Sequence, residues 1–141
     1  PVVLETLWDK IPPKKRLERK AYEKKAQRKS KWAYKELKAF IKYTQREKMP
    51  PHDIKGSYAG ALGIAQFMPT SILAYARDGN KDSRIDLFDH VDAIASIVNY
   101  LKEFGWYPNI NKKEAYKVVM HYNKSSYYAN AVLKVAALLK G

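Results

Sequence analysis

The chain contains no cysteine, and this absence removes several classes of site. A disulfide framework, a thiolate zinc centre, an iron–sulfur cluster and a cysteine nucleophile are all excluded. No apolar run approaches the roughly 18–20 residues that cross a bilayer, and the first residues do not resemble a signal peptide. Because the sequence begins with Pro1 rather than Met, we expect a mature or trimmed part of a longer protein.

Acidic residues are also scarce, with 14 Asp and Glu against 27 Lys and Arg, for a net charge of +13. Residues 10–38 hold 13 of the cations and only three acids, which is +10 of that charge. Such a block attracts polyanions, although a solvated helical arm is its more usual role. Nucleic-acid binding calls for interleaved aromatics or a recognition motif, and only Tyr22, Trp32 and Tyr34 lie nearby. The signal for a nucleic-acid partner is therefore weak, and a basic nucleic-acid-binding module stands only as a second alternative function.

The apolar pattern predicts an all-α fold of five or six helices. Apolar residues make up 46% of the chain, enough for a core, and they recur at helical spacing without a convincing period-two stretch. The first predicted helix runs from Ser30, as its cap, to Lys48, and later helices are predicted to begin near Thr70 or Ser71, Asp92, Asn111, and Ser125 or Ser126. We divide the chain into residues 1–29, a basic helical arm or a remnant of an N-terminal part, and a helical domain, residues 30–141.

Three glycines interrupt a stretch of small apolar residues before Pro69. Gly56, Gly60 and Gly63 predict a tight, close-packed loop, and Ser57 and Gln66 are polar groups set within it. From the residues alone, a packed loop in which Gln66 is hydrogen-bonded to the main chain is the favoured interpretation.

An Asp-rich segment follows the predicted loop and matches an EF-hand-like calcium loop. Oxygen donors stand at positions 1, 3, 5 and 7 of this pattern, namely Asp78, Asn80, Asp82 and the Arg84 carbonyl. Position 6 is Ser83 rather than Gly, and position 12 is Asp89 rather than Glu, so we expect weak binding, on the order of 10⁻⁴ to 10⁻³ M. The alternative is a polar loop whose Asp86 or Asp89 caps the next helix.

Several motifs together resemble the membrane-bound lytic transglycosylase B family of lytic murein transglycosylases. The residues from Lys55 to Ser71 look like its signature, and the resemblance extends over about residues 31–137 in consistent order. The remaining matching segments are Glu36-Leu37-Lys38-Ala39-Phe40, the Asp-rich loop, Leu87-Phe88-Asp89, residues 92–101, Phe104-Gly105-Trp106, and Tyr122-Asn123-Lys124-Ser125 through Tyr128.

The resemblance implies a lysozyme-like α domain that cleaves the β-1,4 bond between N-acetylmuramic acid and N-acetylglucosamine in peptidoglycan. Glycoside hydrolysis usually needs two carboxylates. In lytic transglycosylases one Glu protonates the glycosidic oxygen and then takes the proton of the muramyl C6 hydroxyl, giving a 1,6-anhydro product. The resemblance also implies a monomer in the periplasm of the bacterial cell envelope, with structural calcium and glycan strands as partner. The basic arm would then face anionic wall polymers.

The resemblance assigns roles to particular residues of this chain. Substrate contacts fall on Ser57, Gln66, Tyr100, Tyr122 and Asn123. Calcium ligands fall on Asp78, Asn80, Asp82, the Arg84 carbonyl and Asp92, which is preferred to Asp89.

The catalytic Glu of this family lies upstream of the glycine segment in a Glu-Ser/Thr context, and Glu5, followed by Thr6, fits that description. Alternatively, residues 4–7 belong to a family stretch that follows the catalytic Glu. The acid would then lie before Pro1, and the chain would be a non-catalytic peptidoglycan-binding fragment. We expect Glu36 on the solvated face of its helix, and assign no catalytic role to it, Glu103 or Glu114.

Overall fold

The computed structural model describes residues 16–139, and in this part of the chain five α-helices are joined by loops. The helices are α1 (Arg16–Arg46), α2 (Pro69–Tyr75), α3 (His90–Glu103), α4 (Lys112–Tyr122) and α5 (Ser126–Leu139), with a 3-10 turn at Pro51–Asp53. The predicted all-α class is confirmed. Among the described residues, no helix combines the length and apolar character that crossing a bilayer requires.

Helix α1 is longer than its apolar pattern predicts. It begins at Arg16, so the predicted start at Ser30 is wrong. Lys, Arg, Glu and Ala have high helix propensity, and the side chains of Arg19 and Glu23 pair at 2.8 Å with i,i+4 spacing. All residues from 21 to 35 are exposed, so this basic stretch forms a solvated helical arm.

The core forms where the C-terminal half of α1 meets the glycine loop (residues 55–68), α2 and α3. Its centre is Tyr43 of α1, which is fully buried and donates a hydrogen bond from its hydroxyl to the Ile85 carbonyl at 2.9 Å. Burial raises the pKa of Tyr43 to about 12, so the hydroxyl remains a donor at neutral pH. The other buried members are Leu62, Ala65, Phe67, Ile72, Ala76, Leu87 and Tyr100.

Several predicted helix ends are confirmed. The Asn111 side chain accepts a hydrogen bond from the Glu114 amide at 3.0 Å and so caps α4. Gly105, just past α3, has φ +97°, the left-handed conformation expected at that position. Helix α2 differs, because it begins at Pro69 without a side-chain cap, and Thr70 makes a different contact, described below.

Candidate functional site

A groove of about 350 Å³ lies between α1 and the glycine loop. Its walls are mainly apolar, with the Glu36 carboxylate and the Ser57 hydroxyl among the few polar groups. The other main lining residues are Trp32, Leu37, Phe40, Ile54, Gly60 and Pro69. A concave, largely apolar surface with a few placed polar groups is the usual construction of a small-ligand site.

The glycine loop is folded tightly, as the sequence predicts, by its own hydrogen bonds. The Ser57 carbonyl accepts from the Gly60 amide at 2.8 Å, and the Ser57 amide donates to the Ala61 carbonyl at 2.9 Å. The Ser57 side-chain oxygen also accepts from the Ala61 amide at 3.0 Å. Because a hydroxyl has one hydrogen to donate besides its acceptor lone pairs, Ser57 keeps a donor for a ligand in the groove.

Glu36 is buried, with 8% of its surface exposed, so the expectation that it lies on a solvated face is wrong. One carboxylate oxygen accepts from the Thr70 amide at 2.9 Å, and the other accepts from the Thr70 hydroxyl at 2.8 Å. Glu36 therefore connects α1 to the first turn of α2. The sequence contains a signal for the burial of Glu36, since Ala39 and Tyr43 lie at i+3 and i+7 from it, on the same helix face, and both are buried.

Replacing Glu36 by Ala should lower the free energy of unfolding by about 2–3 kcal/mol, because the Thr70 amide and hydroxyl both lose their partner. Glu36→Gln keeps a carbonyl for the amide and can donate to the hydroxyl oxygen, so its loss should be about 1 kcal/mol. Urea denaturation of both variants measures the two values. Equal stability of Glu36→Ala and the wild type would contradict this role.

The four other predicted substrate contacts do not line the groove that holds Ser57. Gln66 is exposed, and its side-chain nitrogen donates to the Gly63 carbonyl at 2.8 Å, the main-chain bond that was the alternative interpretation. Asn123 ends α4 and is also exposed. Both side chains keep a free amide oxygen or nitrogen for other partners.

Tyr100 and Tyr122 belong to an aromatic cluster beneath the glycine loop, with ring centroids 5.5 Å apart. Tyr100 donates to the His121 carbonyl at 2.9 Å, and Tyr122 donates to the Ala65 carbonyl. Burial raises the pKa of both hydroxyls, that of Tyr122 to about 12. The two phenols are therefore neutral donors at physiological pH, and they hold the loop from below.

The Asp-rich loop is shaped by hydrogen bonds from its own amides. The two oxygens of Asp78 accept from the amides of Lys81 at 2.6 Å and Ser83 at 2.8 Å. Asn80 and Asp82 each accept from the amide two residues further on, at 3.0 and 2.9 Å. Ser83 has φ +68°, so position 6 does adopt the left-handed conformation that usually selects glycine.

The two candidate residues for closing the loop have different surroundings. Asp92 is 1% exposed, and its carboxylate accepts from the Gly79 and Asp86 amides, both at 2.8 Å, so it joins the beginning of the loop to its end. Asp89 instead caps α3, accepting from the Val91 amide at 2.9 Å and the Asp92 amide at 3.1 Å. The capping role given above as an alternative belongs to Asp89.

The loop has the donor chemistry of a calcium site. Carboxylate, amide and carbonyl oxygens are the ligands that calcium prefers. In residues 16–139, however, no three Asp, Glu, His or Cys side chains come together as a metal centre. The Asp78 and Asp82 carboxylates accept hydrogen bonds from amides of the same loop, and these bonds hold the loop backbone in its curved form.

Glu5, the candidate catalytic acid, lies outside the described residues. Among the described residues that line the groove, Glu36 is the one carboxylate.

Comparison with known proteins gives a family match and several relatives. A family model described as "Transglycosylase SLT domain" matches residues 9–115. Membrane-bound lytic murein transglycosylase B of Escherichia coli (strain K12) is 48% identical over 71 residues, which are 50% of this chain and 20% of the Escherichia coli protein.

Two solved structures extend this likeness. The soluble lytic transglycosylase SltB1 of Pseudomonas aeruginosa is 26% identical with a TM-score of 0.68, covering 73% of this chain and 55% of that one. The Escherichia coli lytic transglycosylase SLT35, in complex with calcium, is 42% identical with a TM-score of 0.58, covering 60% of this chain and 27% of that one. The present chain therefore corresponds to part of each of these relatives.

Proposed function

The chain belongs to the transglycosylase SLT domain family, and we propose on that premise that it binds peptidoglycan glycan strands and cleaves their β-1,4 bonds to 1,6-anhydromuramyl products. The observation that carries this proposal is the groove between α1 and the glycine loop, where an exposed aromatic ring and the Ser57 hydroxyl border one concave surface.

The groove has the features that sugar binding needs. Trp32 is 46% exposed and offers an apolar face against which a pyranose ring can pack. The hydroxyl hydrogen of Ser57 is available to a sugar oxygen, and the backbone of Gly56 and Gly60 allows close approach because neither residue has a side chain. The glycan strand lies along α1 in this arrangement.

The reaction requires one group that both donates and accepts a proton. We assign this role to Glu5. Its carboxylic acid gives a proton to the glycosidic oxygen as the bond from that oxygen to C1 of muramic acid breaks. The carboxylate then takes the proton of the C6 hydroxyl as the C6 oxygen bonds to C1, so no water is consumed. General acid–base catalysis of this kind contributes typically 10²–10⁴-fold in rate.

Glu36 does not suit that role, although it lines the groove. Both of its oxygens already accept hydrogen bonds from Thr70, so it positions the wall of the groove. Gln66, Tyr100, Tyr122 and Asn123 are proposed to contact glycan beyond this groove, on the aromatic-cluster side of the glycine loop.

We further propose that the Asp-rich loop binds a structural calcium ion through Asp78, Asn80, Asp82, the Arg84 carbonyl and Asp92. Its donor chemistry, the left-handed turn at Ser83 and the likeness to a relative solved with calcium support this. Calcium would stabilise the fold and take no part in the reaction. The proposed setting is the periplasm, with the protein as a monomer and the exposed arm facing anionic wall polymers.

A second candidate function is non-catalytic binding of peptidoglycan. It is favoured by one observation, that the carboxylate lining the groove in the described residues is already committed to Thr70. In this case the cleft would bind glycan while the acid belonged to a segment upstream of Pro1.

Incubation with purified peptidoglycan sacculi distinguishes the two functions, and mass spectrometry identifies the products. The wild type should release 1,6-anhydromuramyl fragments, and Glu5→Gln should reduce their rate by at least about 100-fold because the proton donor is lost. Glu103→Gln, which changes an exposed carboxylate on α3, is the matched control and should retain full activity. Sacculus binding without products establishes the second function. The absence of both binding and products contradicts both functions.

A further inference from the structure

The outward face of α1 carries a row of exposed cations. Successive members are four or three residues apart, and the row consists of Lys24, Arg28, Lys31, Lys35, Lys38 and Lys42. Because an α-helix turns by about 100° per residue, side chains at this spacing stay within an arc of roughly 80°. At about 1.5 Å per residue, the row is roughly 27 Å long. We call it the cationic stripe.

Acidic residues in the same part of α1 do not neutralise the cationic stripe. Between residues 24 and 42 the one acid is Glu36, which is buried and accepts hydrogen bonds from Thr70. With the residues that the structure describes, no member of the stripe forms an ion pair. The Lys38 Nζ instead lies 5.6 Å from the centre of the Tyr34 ring. A straight row of unpaired cations attracts an extended anionic partner.

Two exposed apolar side chains lie beside the cationic stripe. Tyr34 is 65% exposed and Ile41 is 38% exposed, and they stand two turns apart, roughly 80–100° around the helix from the middle of the stripe. Helices that lie in the interface of a bilayer combine these features, since their cations meet anionic headgroups and their apolar side chains enter the headgroup–acyl boundary. A hydrophilic wall polymer would neutralise the stripe but would leave both apolar side chains in water. The pattern therefore favours a bilayer.

The glycan groove opens on a different side of α1. Its lining residues Glu36 and Phe40 lie roughly 120–160° around the helix from the middle of the cationic stripe. A flat surface that meets the stripe therefore leaves the groove accessible to a glycan strand.

We propose that α1 lies along the surface of a bilayer that contains anionic phospholipids, with the cationic stripe on the headgroups and with Tyr34 and Ile41 at the headgroup–acyl boundary. This inference goes beyond the proposed glycan cleavage and does not depend on it. It predicts binding that needs both the charge of the stripe and the two apolar side chains.

Co-sedimentation of the full chain with vesicles tests the role of the charge. In 0.1 M NaCl, the wild type should bind vesicles of 30% phosphatidylglycerol in phosphatidylcholine at least about 100-fold more tightly than vesicles of phosphatidylcholine alone. Each cation at an anionic surface contributes about fivefold, so the Lys24→Gln, Lys31→Gln, Lys35→Gln variant should bind the anionic vesicles about 100-fold more weakly than the wild type. The charge-matched control should bind as the wild type does, and it changes three exposed lysines of α3 and α4: Lys102→Gln, Lys113→Gln, Lys117→Gln.

The Tyr34→Gln, Ile41→Gln variant distinguishes a bilayer from a soluble polyanion, because it keeps every charge. It should bind the anionic vesicles about tenfold more weakly than the wild type and should bind soluble polyphosphate with unchanged affinity. The control Ile94→Gln, Val98→Gln, which changes two exposed apolar residues of α3, should bind both as the wild type does.

Two results would overturn the inference. Equal losses in the stripe variant and its lysine control would show that net charge, and not the stripe, attracts the vesicles. Unchanged vesicle binding by Tyr34→Gln, Ile41→Gln would assign the stripe to a soluble polyanion. The products released from sacculi are measured separately, so either result leaves the proposed function standing.

Discussion

Gly63→Ala should lower the free energy of unfolding by about 2–5 kcal/mol, the largest loss that we expect from adding a methyl group at any glycine the structure describes. A Cβ at this position would lie 2.4 Å from the Leu87 carbonyl oxygen and 2.5 Å from the Leu87 Cβ. Gly63 also has φ +67°. The left-handed conformation costs roughly 1–2 kcal/mol for a residue with a Cβ, and overpacking a rigid contact adds roughly 1–3 kcal/mol.

The neighbour cannot move aside at low cost, because Leu87 is fully buried and its carbonyl accepts a hydrogen bond from the Ile64 amide at 2.8 Å. Displacing Leu87 would separate the glycine loop from the Asp-rich loop. We therefore expect Gly63→Ala to weaken glycan binding together with stability, as the groove wall loses its support.

Gly105→Ala is the matched control, since Gly105 has φ +97° and nothing lies within 4 Å of its would-be Cβ. It carries the conformational cost without the overlap, so its loss should be about 1–2 kcal/mol. Urea denaturation midpoints and slopes compare the two variants. If both lose the same amount, the contact with Leu87 does not restrict position 63.

Asp92→Asn is the second substitution with a large expected effect, and it should act with or without calcium. The carboxylate is buried and accepts from the Gly79 and Asp86 amides, one at each oxygen. An Asn side chain replaces one acceptor by a donor, which then faces an amide hydrogen. The expected loss is about 2–3 kcal/mol in EDTA, from one buried donor left without a partner and a weakened charged hydrogen bond.

The shift of the melting midpoint in calcium is a second measurement on the same variant. If the loop binds with a dissociation constant near ~1 mM, ~10 mM calcium stabilises the wild type by about 1.4 kcal/mol and raises the melting midpoint by about 5 °C. Asp92→Asn should lose this response. Asp89→Asn should keep it, because Asn caps helices as well as Asp does and Asp89 is not expected to be a ligand. No midpoint shift of the wild type in calcium would contradict the calcium proposal.

The features that the sequence predicts well are those encoded locally. The Asn111 cap, the left-handed Gly105 and the close-packed glycine loop each depend on residues a few positions apart, and each is confirmed. The start of α1 is not predicted, because residues 16–29 form helix from propensity and charge pairing without an apolar stripe.

The site is harder to predict, since its contacts join distant parts of the chain. Glu36 accepts a hydrogen bond from Thr70, which lies 34 positions later in the chain. A charged residue in an apolar stripe does not indicate which distant residue is its partner. Tyr100 likewise bonds a carbonyl 21 positions away, so the chemistry of its hydroxyl follows from packing. The family motif identifies these residues without indicating that Ser57 and Tyr100 contribute to different surfaces.

The backbone around Ile85 sets where this chain can change length. The Ile85 amide donates to the Glu47 carboxylate and its carbonyl accepts from the Tyr43 hydroxyl, both at 2.9 Å. With Asp92 joined to Gly79 and Asp86, residues 79–92 lie between fixed attachments, so a change of length there has to be accommodated without moving them. The turn Pro51–Asp53 has no buried residue, and it can absorb a change of length on the surface instead.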